Sequence, residues 1–217
     1  MKRLLGIVAA MLAAHGACAQ ELANGAFLVA QQTLNDPNFR RSVILVTQGR
    51  DGGSLGVILN RPTETTLRAA FPQHKNLAAL PQPLYAGGPL QPDGLLFLLR
   101  AAKRPPASVP VLRNVYLVSD ADWVERALGE PKLLTAVRVY AGHAGWAPRQ
   151  LRGEIEHQGW HLLPADEATL FEHDPAMLWP LLMKRAVLRT TQFKNINKIK
   201  YLYNIPWQSA KMFHVAS

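Results

Sequence analysis

A single cysteine, Cys18, stands in the 217-residue sequence, and it lies near the start of the chain. With no second thiol there is no internal disulfide and no multi-cysteine metal site, and if the start is cleaved no cysteine nucleophile is left either. Long apolar runs are also missing: Leu4 to Ala14 spans eleven residues, short of the roughly 20 that a membrane-crossing helix needs, and no later stretch is long enough. Carboxylates stop at Asp174. Glycine and proline, 15 and 16 in number, show no period, which excludes collagen-like and repeat architectures. With 48% hydrophobic and 18% charged residues, what remains is a chain able to bury one large core.

Lys2 and Arg3, the apolar run behind them, and Ala17-Cys18-Ala19 with small residues at both ends form the pattern of a secretory signal peptide. Cleavage is expected after Ala19, giving a periplasmic or secreted protein. An uncleaved leader would leave it cytoplasmic.

All fifteen acidic residues lie between Glu21 and Asp174, a span that also holds fifteen Lys and Arg. The surplus behind the net charge of +9 therefore sits at the two ends: Lys2 and Arg3, then Lys184, Arg185, Arg189, Lys194, Lys198, Lys200 and Lys211. A neutral body is not the footprint of a duplex-DNA reader, so DNA is not expected as a partner of the core. The tail interleaves lysines with Phe193, Ile196, Ile199, Tyr201, Leu202, Tyr203, Ile205 and Trp207, a mixture suited to an anionic membrane surface or to single-stranded nucleic acid and also found in plain solvated extensions. Three segments follow: a signal peptide over 1–19, a folded domain over 20–183, and a basic extension over 184–217.

Apolar and β-branched runs predict strands over residues 26–30, 42–48, 55–60, 84–86, 95–99, 111–118, 135–140 and 160–163. Asn35-Asp36-Pro37-Asn38 reads as a turn, and Asp51-Gly52-Gly53 as the connection of a hairpin. Short helices are expected over 66–71, from a cap at Ser119 or Asp120 to Leu128, from Pro148 through Leu151 and Ile155, and over 166–172 and 175–187. Strands joined by short turns, with helices gathered late, predict an α+β fold around a mainly antiparallel sheet.

The usual sites of chemistry are missing. There is no G-x-x-x-x-G-K-[ST] loop, no G-x-G-x-x-G after a strand, and no G-x-S-x-G elbow, so no cofactor is expected. His157 and His161 have ligand spacing, but Gly159 and Trp160 stand between them at a helix-to-strand boundary, so no metal is expected. Ser42, Ser54, Ser108 and Ser119 have no histidine near them in sequence. Trp123, Trp160 and Trp179 lie on apolar faces and read as core. Trp146 differs, since Gly142-His143-Ala144-Gly145 before it lets backbone pass close to something and a helix start follows.

Several segments, taken in order, resemble the YqgE/AlgH family. They are Leu34-Asn35-Asp36-Pro37-Asn38-Phe39, the stretch from Gly53 through Gly56 to Asn60-Arg61-Pro62, Tyr85-Ala86-Gly87-Gly88-Pro89-Leu90, and Gly142 to Leu151, continued by Glu154, Trp160 and Phe171. The resemblance spans residues 24–181 and implies a compact domain with a mainly antiparallel sheet flanked by helices. It brings no established activity, although some members are described as transcriptional regulators. The chain departs from the family at Gln48 and Arg100, where histidines are frequent, and at Ala147 and Arg149, where glycines are. The resulting expectation is an exported, non-catalytic domain binding a small ligand or a protein through Asp36, Asn60, Arg61, Gly87, Gly88, Gly142, Gly145, Trp146 and Gln150. A cytosolic regulator and an unrecognised hydrolase are the alternatives.

Overall fold

A computed structural model describes residues 25–49, 52–130 and 132–203, with side chains as far as Thr191. The expected leader, the turn residue Asp51 and the chain beyond Tyr203 lie outside the described residues.

Strands β1 (Ala26–Ala30), β2 (Val43–Gln48) and β3 (Ser54–Ile58) pair antiparallel, with Phe27 opposite Leu45 and Leu45 opposite Val57. Their side chains alternate between two cores. Phe27, Val29, Val43, Leu45 and Val57 face one, while Ala26, Leu28, Ala30, Ile44 and Val46 face the other. Burial on both faces is why these strands read as unbroken apolar runs.

Next come β4 (Pro62–Thr66), helices α1 (Leu67–Ala70) and α2 (Lys75–Ala78), β5 (Pro83–Ala86) and the long β6 (Leu90–Ala101). They are followed by β7 (Val109–Leu112), β8 (Val115–Val118), helix α3 (Ala121–Leu128), β9 (Leu134–Trp146), helix α4 (Gln150–Glu156) and β10 (Trp160–Pro164). Helix α5 (Glu167–Phe171), a 3-10 turn (Pro175–Met177) and helix α6 (Leu178–Tyr203) complete the described chain. The strand order is β10-β1-β2-β3-β9-β6-β8-β7, with β4 on β5 and β5 parallel to β9.

The sheet curls. Val111, Val115 and Leu117, from the far end of this order, share a core with Phe27 and Leu45, and Thr47 Oγ1 donates to the Pro110 carbonyl at 3.3 Å. Leu178, Leu182 and Ala186 of α6, spaced four apart, bury one helix stripe in the same core. Helices α1 to α3 cover Phe97, Leu99 and Val139 on the other side of β6 and β9. The expected α+β architecture, an antiparallel sheet flanked by helices, is therefore present. The boundary expected between residues 183 and 184 falls inside α6, with Ala186 buried beyond it.

Several expectations change. The single strand read over 111–118 is the hairpin β7–β8, because Arg113 and Asn114 turn the chain and the Asn114 carbonyl accepts from Ala101 N–H. The strand read over 135–140 runs on to Trp146, since Gly142, at φ +72, lets it kink and exchange β6 for β3 as partner. β4 and α2 carry no apolar pattern of their own. Pairing with β5 holds β4, and the Glu125 carboxylate, accepting from Asn76 and Leu77 N–H at 2.8 and 2.9 Å, holds α2.

Candidate functional site

The nine residues expected to form a binding surface fall into three adjoining groups. In the first, Asp36 Oδ1 accepts from Asn38 N–H at 2.7 Å and closes the 36–41 turn. Asn60 Oδ1 accepts from Val43 N–H at 2.8 Å and its Nδ2 donates to the Arg41 carbonyl at 2.9 Å, so the side chain ties the end of β3 to the start of β2. Arg61 Nη2 makes long contacts to the Pro37 and Arg40 carbonyls, at 3.5 and 3.4 Å. Burial, then the neighbouring Arg40, lowers the Arg61 pKa against the opposing pull of Asp36.

In the second group, backbones touch where β5 leaves β9. Gly87 N–H donates to the Ala141 carbonyl at 2.7 Å, and its own carbonyl accepts from Ile58 N–H at 2.8 Å. A methyl group on Gly87 or Gly142 would overlap the carbonyl of Gly142 or Gly88 respectively, and one on Gly88 would overlap the His143 backbone. These glycines admit another strand of the same protein.

In the third group, Trp146 is only 6% exposed. Its Nε1 donates to Glu154 Oε2 at 3.0 Å, and Trp160 Nε1 donates to the same oxygen at 3.0 Å. Gln150 Nε2 donates to Glu154 Oε1 at 3.1 Å, while Gln150 Oε1 caps Ala147 N–H at 3.1 Å. Phe39, carried by the 36–41 turn, packs on both indoles with centroids 6.4 and 5.8 Å away, which joins this group to the first. Arg149 holds φ +70, a left-handed conformation that is costly for a residue with a Cβ.

Most polar groups of the motif are thus occupied by the fold. Unoccupied ones lie elsewhere, around a cavity of about 570 Å³ at one end of the curled sheet. Its walls are Leu55 of β3, Leu90 and Leu96 of β6, Val109 of β7 and Leu117 of β8, and Gly145, Trp146 and Ala147 close one side. Ser54, Ser119 and His143 also line it, and among the described residues no hydrogen bond engages their side chains. Burial lowers the His143 pKa, which favours the neutral ring with its one donor and one acceptor. No charged side chain lines the cavity among the described residues.

Gly145 and Trp146 are the two expected site residues that reach this cavity. The sequence reading weighed Ser54 and Ser119 only as nucleophiles and did not place them or His143 on the binding surface. One signal was present in the alternation of His143 and Gly145 against Ala144 and Trp146. The strand pairings that bring Leu90 opposite His143 and Leu55 opposite Gly145 were not visible. His157 closes α4 and His161 lies in β10, so they share no helix face. Among the described residues no group of three or more His, Cys, Asp or Glu could hold a metal.

A sequence model of the AlgH-like family matches residues 27–190. A UPF0301 protein of Mycobacterium tuberculosis is 40% identical over 179 residues, covering 78% of this chain and 85% of that relative. A Mycobacterium avium UPF0301 protein is 38% identical over 175 residues, covering 78% and 86%. Among solved structures, a Corynebacterium diphtheriae protein superposes with a TM-score of 0.63 at 27% identity, covering 75% of this chain and 86% of that one. The solution structure of the AlgH protein from Pseudomonas aeruginosa gives 0.61 at 26% identity, covering 76% and 89%. With its motif segments, its sheet and these relatives in agreement, the chain belongs to the YqgE/AlgH family.

Proposed function

We propose that the protein is an exported, non-catalytic module that binds a small ligand in the cavity between β3, β6, β8 and the end of β9. The observation that carries this reading is the contrast in polar groups. Asp36, Asn60, Gln150 and Glu154 are bound to their own fold, whereas Ser54, Ser119 and His143 line one largely apolar cavity and have no side-chain partner among the described residues. Pockets of about 300–1,000 Å³ with apolar walls and a few convergent polar groups are the usual form of a small-molecule site. A histidine base in a hydrolytic triad is oriented by a third group, commonly a carboxylate, and no described carboxylate lines this cavity. Export rests on the leader pattern of residues 1–19.

Two measurements test this reading. Intact mass after cell fractionation should give a soluble periplasmic species beginning at Gln20, whereas a cytosolic species beginning at Met1 would return the regulator reading to first place. Nile red, an uncharged dye that brightens in apolar surroundings, should light up with the wild-type protein and lose that signal in Ala147→Trp, which fills the cavity mouth from an exposed position. Equal brightening by a folded Ala147→Trp protein would remove the cavity from the account.

A further inference from the structure

Among the described residues, the exposed large apolar side chains are Leu90, Met177, Val187 and Leu188. The last three, each more than half exposed, belong to α6 and the 3-10 turn that opens it. We infer that the side of α6 turned away from the core is a docking surface for an anionic lipid membrane, with the helix lying along the surface and its lysines at the headgroups. The inference is independent of the cavity and of what the cavity binds.

Leu178, Leu182 and Ala186 turn one stripe of α6 into the core. At 3.6 residues per turn, Lys184, Val187 and Leu188 come round on the side away from that stripe, and all three are exposed. Further along the helix the positions of Lys194 and Lys198 return to the same side. The Thr191 hydroxyl donates back to the Val187 carbonyl at 2.9 Å, so its donor is taken by the helix itself. Between residues 184 and 200 the chain holds six Lys and Arg and no carboxylate. Arg185 is committed to Asp166 at 3.1 Å, and the last carboxylate, Asp174, caps the turn at the opposite end of the helix. From Ala186 to Tyr203 the helix runs on for roughly 25 Å. A long basic helix with apolar residues among its lysines lies in the membrane interface, with apolar atoms at the acyl boundary and ammonium groups on anionic headgroups. Among the described residues no helix is long and apolar enough to cross a membrane, so the fit is to a surface. Met177, Val187 and Leu188 are aliphatic and match acyl chains, whereas nucleic-acid bases stack on aromatic rings.

Flotation of the full-length protein with vesicles tests this surface, using phosphatidylcholine alone and phosphatidylcholine in which one lipid in three is phosphatidylglycerol. The wild-type protein should partition at least about tenfold more onto the anionic vesicles. The triple variant Lys184→Gln, Lys194→Gln, Lys198→Gln should bind the anionic vesicles at least about tenfold more weakly than wild type. The double variant Val187→Gln, Leu188→Gln should bind them at least about fivefold more weakly. Glutamine is a good helix former, and an unchanged thermal midpoint shows that the fold is kept. The leader is the same in every variant, so a difference between them reports on α6. Equal partitioning of the wild-type protein onto both vesicles overturns the inference, as does wild-type binding by either folded variant. Binding of oligo-dT by the wild-type protein, weakened in the triple variant, with no preference for anionic vesicles, would assign the surface to single-stranded nucleic acid instead.

Discussion

Trp146 and Trp160 stand edge to face with ring centroids 6.5 Å apart, and both indole N–H groups end on one carboxylate oxygen of Glu154. One acidic side chain from α4 thus fixes the end of β9 and the start of β10, which are far apart in the strand order. The Trp146 wall of the cavity depends on it.

Replacing Glu154 by alanine leaves two indole donors without an acceptor in a largely buried cluster. The expected loss is about 2–4 kcal/mol in urea unfolding, with a red-shifted tryptophan emission. A loss under about 0.5 kcal/mol would show that the shared carboxylate does not hold the corner.

Asn60→Ala removes the acceptor of Val43 N–H, whose residue is buried, and should cost about 1–3 kcal/mol while Nile red binding stays within about twofold of wild type. Lost binding with an unchanged midpoint would return Asn60 to the ligand surface.

Two glycines should behave in opposite ways. Gly142→Ala puts a methyl group against the Gly88 carbonyl at φ +72 and should destabilise by about 3 kcal/mol or more. Gly153, inside α4, has open space where a methyl would go, so Gly153→Ala should stabilise by about 0.5–1 kcal/mol. Thermal denaturation of both variants checks the contrast.

The Asp166 carboxyl is pushed up by burial, but the Thr169 N–H and hydroxyl and the Arg185 guanidinium outweigh that and hold its pKa below the usual value. A depressed carboxylate stabilises the fold above its unfolded pKa of about 3.9, and that contribution disappears as pH falls through the folded value. The stability difference between wild type and Asp166→Asn should therefore be flat above about pH 5 and shrink below about pH 4. A difference that grows on acidification would contradict this assignment.

Tyr140 is fully buried, and its hydroxyl has no partner among the described residues. Tyr140→Phe should accordingly leave stability unchanged or raise it by up to about 1 kcal/mol. A loss above about 1.5 kcal/mol would mean that the hydroxyl is hydrogen-bonded in the folded protein.

Local signals made much of the fold legible. The apolar runs of β1 to β3, the caps at Asp120 and Asp166, and the Asx turn at Asp36 all operate within a few residues. Elements held from a distance were not legible: β4 is polar and rests on β5, and α2 rests on Glu125, 48 and 49 residues further on. The same limit governed the site. Gly87, Gly88 and Gly142 give backbone access, but only the β5–β9 register reveals that the backbone admitted is their own. The partners of Asn60 lie 17 and 19 residues away, beyond the reach of local patterning.

The most direct test of the central claim, that the cavity binds and the motif surface holds the fold, is an amide-by-amide NMR map of full-length protein with Nile red. The account predicts shifts concentrated at Gly53, Leu55, Gly145 and Ala147, with Asn60, Arg61 and Gly87 unmoved. Shifts centred on Asn60, Arg61 and Gly87, with the cavity amides unmoved, would contradict it.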